Sequence, residues 1–127
     1  MEVFGIGIDI VEIGRIEETL ERHGERFLEK ILTEAERAYC LSHKRPAVHV
    51  AARFAAKEAI SKAFGTGIGK DLGWLDVEVI RHETGAPLVR LYGAGAVFAR
   101  SVGIAEVKIS ISHARDYAVA HAMAMIR

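Results

Sequence analysis

Apolar positions along the chain recur with two different periods, and the switches between them mark the elements. Residues 3 to 11, VFGIGIDIV, are rich in β-branched side chains and interrupted by two glycines. That pattern predicts a buried strand in which glycine permits close backbone approach, with Asp9 near its end. From Ile13 to His23 the spacing becomes helical, with Ile13, Ile16 and Leu20 on one stripe, Arg15, Glu18 and Arg22 off it, and Gly24 as the break. ERFLEKIL, residues 25 to 32, adds a further amphipathic turn or two. TEAE, residues 33 to 36, spells a capping box: the Thr33 hydroxyl accepts from the Glu36 N–H, and the Glu36 carboxylate accepts from the Thr33 N–H. The helix it starts should end near Ser42. KRP, residues 44 to 46, is a break, and Pro46 suits the first turn of a long helix reaching about Phe64, with Gly65 as its C-terminal cap.

The second half reads mainly as strands. GTGIGKDLG is a flexible loop, WLDVEVIR alternates as a strand, HETGAP is a turn, and LVRLY completes a hairpin. GAGAVFARSVG is a short helix, and EVKISIS and DYAVAHAMAMI are two more strands joined by a tight connection that holds His113. The last strand is apolar or alanine at nearly every position, so both its faces should be covered, whether by simple burial or partly by a second subunit. The expected architecture is α+β: one domain over residues 1–127, with an antiparallel-rich sheet wrapped against one long helix and several short ones.

Composition narrows the setting. Half of the 127 residues are apolar and 27% are charged, so the chain should fold around one core. A formal net charge of zero removes any global argument for a nucleic-acid partner. No apolar run approaches the roughly 20 residues that span a bilayer, so no membrane partner is expected. Cys40 is the only cysteine and the N-terminus lacks a signal-peptide layout, which makes a reducing, cytoplasmic location the expectation.

Candidate chemistry centres on RFAAKEAISKAFGTG, residues 53 to 67. On a helical wheel Val48, Ala52, Ala55, Ala56, Ala59, Ile60 and Ala63 share one arc. Arg53, Lys57, Glu58, Ser61 and Lys62 share the other, with Val50 and Phe54 among them. Wheel geometry alone favours an ordinary surface ion pair between Glu58 and Lys62, contributing roughly 0.2–0.5 kcal/mol. Against it stand three cations gathered around a phenyl ring, a surface suited to an anionic ligand with an organic part. Lys44 and Arg45 precede the helix N-terminus, the Gly65–Thr66–Gly67 loop could turn N–H groups toward a phosphate, and His113 closes the KISIS strand. Asp9 and Glu58 are the types of carboxylate that hold Mg²⁺ together with phosphate oxygens. No Walker or Rossmann glycine motif is present, and the histidines and Cys40 lack zinc-ligand spacing.

GIGIDIVEIGRIE, RFAAKEAISKAFGTGIG and ISISHARDYAVA, with ILTEAERAYC and WLDVEVIRHETGAPLVRL between them, resemble the holo-acyl-carrier-protein synthase family, the short single-repeat 4′-phosphopantetheinyl transferases. The resemblance runs over nearly the whole chain. It implies an Mg²⁺-dependent enzyme of fatty acid biosynthesis that moves phosphopantetheine from coenzyme A to a serine of apo-acyl carrier protein and leaves adenosine 3′,5′-bisphosphate. By that resemblance Asp9 and Glu58 are the metal-binding carboxylates and Lys62 faces the pyrophosphate. The serine would lose its proton to Glu58 directly or to a metal-bound water. His113, Arg53, Lys44 and Arg45 would contact phosphates of coenzyme A, the arginines its 3′-phosphate, and Gly65, Thr66 and Gly67 would line the pocket.

The family likeness also implies a homotrimer with coenzyme A between subunits. It implies a basic docking surface for an acidic carrier protein, for which Arg15, Arg22 and Arg26 are the candidates. Pairing with Glu12, Glu18 and Glu21 is the alternative for these arginines, and for Arg22 and Arg26 the two readings stand level. Ala114 departs from the family, many members of which carry a hydroxyl or acid there, which puts one phosphate contact in question. The competing functional reading is a non-catalytic trimeric module that binds coenzyme A or another nucleotide.

Overall fold

Helix α4, Pro46–Phe64, is the axis of the molecule. Proline stands in its first turn and Gly65 closes it in the left-handed region at φ 78°, a conformation glycine adopts without a Cβ penalty. The computed structural model describes all of residues 1–127. Strand β1 (Glu2–Glu12) leads into α1 (Ile13–His23), α2 (Glu25–Ile31) and α3 (Glu34–Leu41), all before α4. After α4 come the hairpin strands β2 (Val77–Arg81) and β3 (Pro87–Leu91), helix α5 (Gly93–Val102), and strands β4 (Ile104–His113) and β5 (Tyr117–Ile126). β1, β5 and β4 form an antiparallel sheet in that order, and β2–β3 form a separate ribbon. The fold is α+β, as the two periods in the sequence indicate.

The larger sheet lies against α4 through small side chains. Ala118, Ala120, Ala122 and Ala124 of β5 are all fully buried, and Ala55, Ala56 and Ala59 of α4 are buried in the same part of the core or beside it. Beside them on β1, Gly5, Gly7 and Asp9 occupy alternate positions and so share one face. A Cβ on Gly5 would sit 2.1 Å from the Ala63 carbonyl oxygen, and one on Gly7 only 1.9 Å from that of Ala59. The strand therefore rests directly on the helix backbone, and Asp9 is the first residue on that face with a side chain to offer the helix. Gly7→Ala is expected to cost about 3 kcal/mol, because backbone rather than a movable side chain meets the new methyl. Urea denaturation reads this directly, and an unchanged midpoint would mean that β1 can lift off α4 freely.

Three expectations change. Trp74–Asp76 is a 3-10 turn rather than the start of the strand, because the Asp76 carboxylate accepts from the Gly73 N–H at 2.8 Å and folds the chain back. His113 is the last residue of β4 rather than part of the connection, which runs over residues 114–116 and is closed by Ala114 N–H to Tyr117 O at 2.9 Å. The alanine face of β5 is covered by α4, but the opposite face of the sheet is open in the single chain, with Ile6, Ile8 and Ile10 61–62% exposed.

Candidate active site

Strand β1 and helix α4 bring together the residues on which the sequence reading centres. Lys62 Nζ donates to Asp9 Oδ1 at 3.2 Å and to the Ile8 carbonyl at 2.9 Å. Its ion pair crosses to the strand instead of running along the helix to Glu58, so the one-turn surface pair does not form. Asp9 and Glu58 line one cleft of about 430 Å³ with Phe27 and Phe54, and Arg15 stands at its edge. Burial pushes the Glu58 carboxyl above its usual range and the Asp9 carboxylate adds to this, while Lys62 opposes them. Two carboxylates held beside each other against their own repulsion form a donor set for a hard divalent cation. No cluster of three or more His, Cys, Asp and Glu is present, so such a cation would complete its shell with substrate oxygens and water.

The wheel expected Arg53, Lys57 and Ser61 on a solvent arc, and all three are buried. Thirteen of the nineteen α4 residues are buried, so the helix has no broad wet face. Lys57 uses all three ammonium protons: Ile31 O at 2.6 Å, Glu36 Oε1 at 2.7 Å and Trp74 O at 2.9 Å. Burial draws its pKa down, and Glu36 counters that. The capping box forms as expected, with Thr33 N–H to Glu36 Oε1 at 2.8 Å and Glu36 N–H to Thr33 Oγ1 at 3.3 Å. Glu36 Oε2 also accepts from Val79 N–H at 2.8 Å. One carboxylate thus caps α3, anchors β2 and neutralises Lys57. Through Trp74, whose ring packs 5.0 Å from Phe54, the same knot supports the aromatic wall one turn from Glu58.

A second cleft, of about 390 Å³, shares no residue with the first. His49, Arg53, Arg81, Ser112 and His113 line it and no carboxylate does. Arg53 is only 4% exposed, makes no salt bridge, and leaves its buried Nε without a hydrogen-bond partner. Its guanidinium stacks 4.3 Å above the Tyr39 ring. A buried cation without a counter-ion is costly, and a cleft lined by cations and histidines with no carboxylate has the chemistry to take an anion.

The remaining candidates lie elsewhere. Arg45 is committed to Glu17 at 3.0 and 3.2 Å, and Lys44 is exposed beside it, so neither joins Arg53 and His113 within one chain. Gly65, Thr66 and Gly67 line neither cleft, and their N–H groups donate to Lys62 O and Ser61 O. Arg15 makes a long 3.9 Å contact to Glu12 with its side chain 80% exposed, and Arg22 and Arg26 are exposed without ion pairs. Sequence reasoning missed His49 and Arg81. His49 lies four residues before Arg53, a spacing that stacks the two on one helix face and that a search around Arg53 could have used.

The fold, with Asp9 and Glu58 in one cleft, Lys62 on Asp9, and Arg53 with His113 in another, is that of an enzyme class, the group transferases, which comparison with known proteins identifies. The chain belongs to the 4′-phosphopantetheinyl transferase superfamily, whose family model matches residues 5–122. It is 53% identical over 118 residues to the holo-acyl-carrier-protein synthase of Chlorobaculum tepidum, covering 93% of this chain and 95% of that protein. The crystal structure of the Neisseria meningitidis holo-acyl-carrier-protein synthase superposes with a TM-score of 0.92 at 32% identity, over 98% of this chain and 99% of that one. The Helicobacter pylori enzyme in complex with coenzyme A gives 0.85 at 38% identity, over 94% and 99%.

Proposed function

We propose that the chain is a holo-acyl-carrier-protein synthase of fatty acid biosynthesis, transferring 4′-phosphopantetheine from coenzyme A to a serine of apo-acyl carrier protein. The observation that carries this reading is the convergence of Asp9, Glu58 and Lys62, from a strand and a helix far apart in sequence, on one site. The serine oxygen bonds to the β-phosphorus and the bridging P–O bond breaks. Its electron pair leaves with adenosine 3′,5′-bisphosphate, and the serine proton passes to Glu58, directly or through an intervening water. Lys62 places its ammonium where the departing phosphate gathers charge, exchanging its bond to Asp9 for one to the pyrophosphate. Asp9 and Glu58 would hold Mg²⁺, which supplies charge neutralisation at the transferring phosphoryl group. All 127 residues form this one transferase domain.

Arg53 and His113 are read as the 3′-phosphate contacts, supported by their shared cleft and the unpartnered Arg53 Nε. The two clefts of one chain are separate, which suits a homotrimer in which one coenzyme A engages the carboxylates of one subunit and the anion cleft of the next. Lys44 and Arg45 would then serve across the interface. The open row of Ile6, Ile8 and Ile10 supports such an assembly, since an apolar sheet face of this kind is normally covered. No helix is long and apolar enough to cross a membrane. The cytoplasmic location remains part of the same reading, with Cys40 free and buried.

The test incubates the protein with coenzyme A, Mg²⁺ and apo-acyl carrier protein and weighs the carrier protein by mass spectrometry. The phosphopantetheine increment is expected. Its absence beside a working transferase, with coenzyme A still bound, would leave the non-catalytic binding module as the function. Arg15, exposed at the rim of the catalytic cleft, is read as a carrier-protein contact, with Arg22 and Arg26 further out. Arg15→Glu is expected to raise KM for carrier protein about tenfold while leaving that for coenzyme A unchanged, and more so at low salt. Equal effects on both substrates would take Arg15 off the docking surface.

A further inference from the structure

The anion cleft contains more cationic chemistry than two phosphate contacts require. His49 and Arg53 stand one turn apart on α4, and both line it. The His43 ring lies 3.8 Å from that of His49, His113 of β4 lies 6.5 Å away, and Tyr39 of α3 meets His49 edge-on at 5.7 Å. His43 Nδ1 lies 2.8 Å from the Tyr39 carbonyl, which can only accept, so that nitrogen carries the proton. His49 has no such commitment, and its ring nitrogens are free to face a ligand. Arg81 of β2 donates only to the Gly85 carbonyl at 2.9 Å, and its guanidinium lies 5.6 Å from the Tyr39 ring.

Every charged or titratable neighbour of His49 pushes it the same way. Burial lowers its pKa first, followed by His43, Arg53, His113 and Arg81. Burial first, and then positive charge that no carboxylate in the cleft balances, favour the neutral imidazole. A phosphate monoester is close to dianionic at neutral pH, and placed among these groups it reverses the local field and favours the imidazolium. Binding then takes up a proton. A ligand lacking that phosphate has no such effect.

We propose that His49, seated against His43, is a specificity-determining residue of this cleft: as an imidazolium it donates to the 3′-phosphate of coenzyme A, and makes the preference for coenzyme A over 3′-dephospho-coenzyme A stronger on mild acidification. The inference rests on the reading that places the 3′-phosphate beside Arg53 and His113. Because the bound histidine has the higher pKa, the extra affinity is present below that value and fades as pH rises through it.

Titration calorimetry with coenzyme A and with 3′-dephospho-coenzyme A, at about pH 6.5 and about pH 8, tests it. The wild type is expected to prefer coenzyme A about tenfold more strongly at the lower pH. It should take up a proton on binding coenzyme A and none on binding the dephospho compound. His49→Gln, which keeps a donor but does not titrate, should show a much weaker pH dependence of the preference and less proton uptake than the wild type, with an unchanged melting temperature. Wild-type pH dependence in His49→Gln, with the preference itself lost in Arg53→Gln, overturns the role of His49 and leaves the 3′-phosphate reading standing. No preference in the wild type at either pH overturns both.

Discussion

Glu58→Gln is expected to abolish phosphopantetheine transfer, lowering kcat by about a thousandfold or more, while the melting temperature stays level or rises. The two halves of this outcome have one cause. The Glu58 carboxyl sits partly buried beside Asp9 and holds its proton more tightly than an ordinary glutamate. A group whose folded-state pKa is raised adds stability only while it is protonated, and that stability is lost as pH rises through the folded value. At neutral pH the ionised side chain is thus a burden to the fold. The neutral amide relieves the repulsion and at the same time removes the carboxylate proposed as base and metal ligand. Mass spectrometry of the carrier protein and a thermal melt of the same sample read both halves. Wild-type turnover in the variant would return Glu58 to the role of a surface residue.

Lys57→Met is expected to destabilise the chain by about 3–5 kcal/mol, the range for breaking a buried ion pair from one side. Glu36 would keep its bonds from Thr33 and Val79 but lose its only counter-ion, and the Ile31 and Trp74 carbonyls would each lose a donor. Adding Glu36→Gln should recover part of the loss, because an amide oxygen can still serve one of those N–H groups without a buried charge. Urea denaturation of the single and double variants gives the coupling. A single-variant cost under about 1 kcal/mol would show that the knot is unimportant. Lys57 also holds the turn bearing Trp74, so coenzyme A affinity in the folded variant reports whether loosening that wall disturbs the cleft.

The residues that specify backbone were the most legible in the sequence. Pro46, Gly65 and the Thr33–Glu36 box act through local geometry, and α4 and α3 begin and α4 ends where these residues indicate. Asp9 and Glu58 could be paired only through family likeness, because nothing local says that β1 lies on α4. In hindsight the two glycines preceding Asp9 at alternate positions bear on that contact, since they permit the close approach. The wheel failed on Arg53 and Lys57 for a different reason: it sends every charge to solvent, whereas these two are buried by partners distant in sequence. Lys57 finds Glu36, which the sequence had already assigned to a cap, and Arg53 finds the Tyr39 ring and a cleft without carboxylates. Local patterns carry no record of such long-range neutralisation, and for the same reason they placed Lys44 and Arg45 with Arg53.

The alanine row on β5 bears on how far this site can be retuned. Ala120 is the register partner of Asp9, and with Ala118, Ala122 and Ala124 it separates sheet from helix by a layer one methyl thick. Alanine has no rotamers, so the layer works as a solid shim: a larger side chain cannot swing aside and must move the helix. Such a shift would widen the gap between Asp9 on the strand and Glu58 on the helix, and so weaken the grip on a cation without touching either ligand. If Asp9 and Glu58 hold Mg²⁺ as proposed, metal affinity and core volume are coupled in this chain, and drift in the core would register as a changed requirement for the cation.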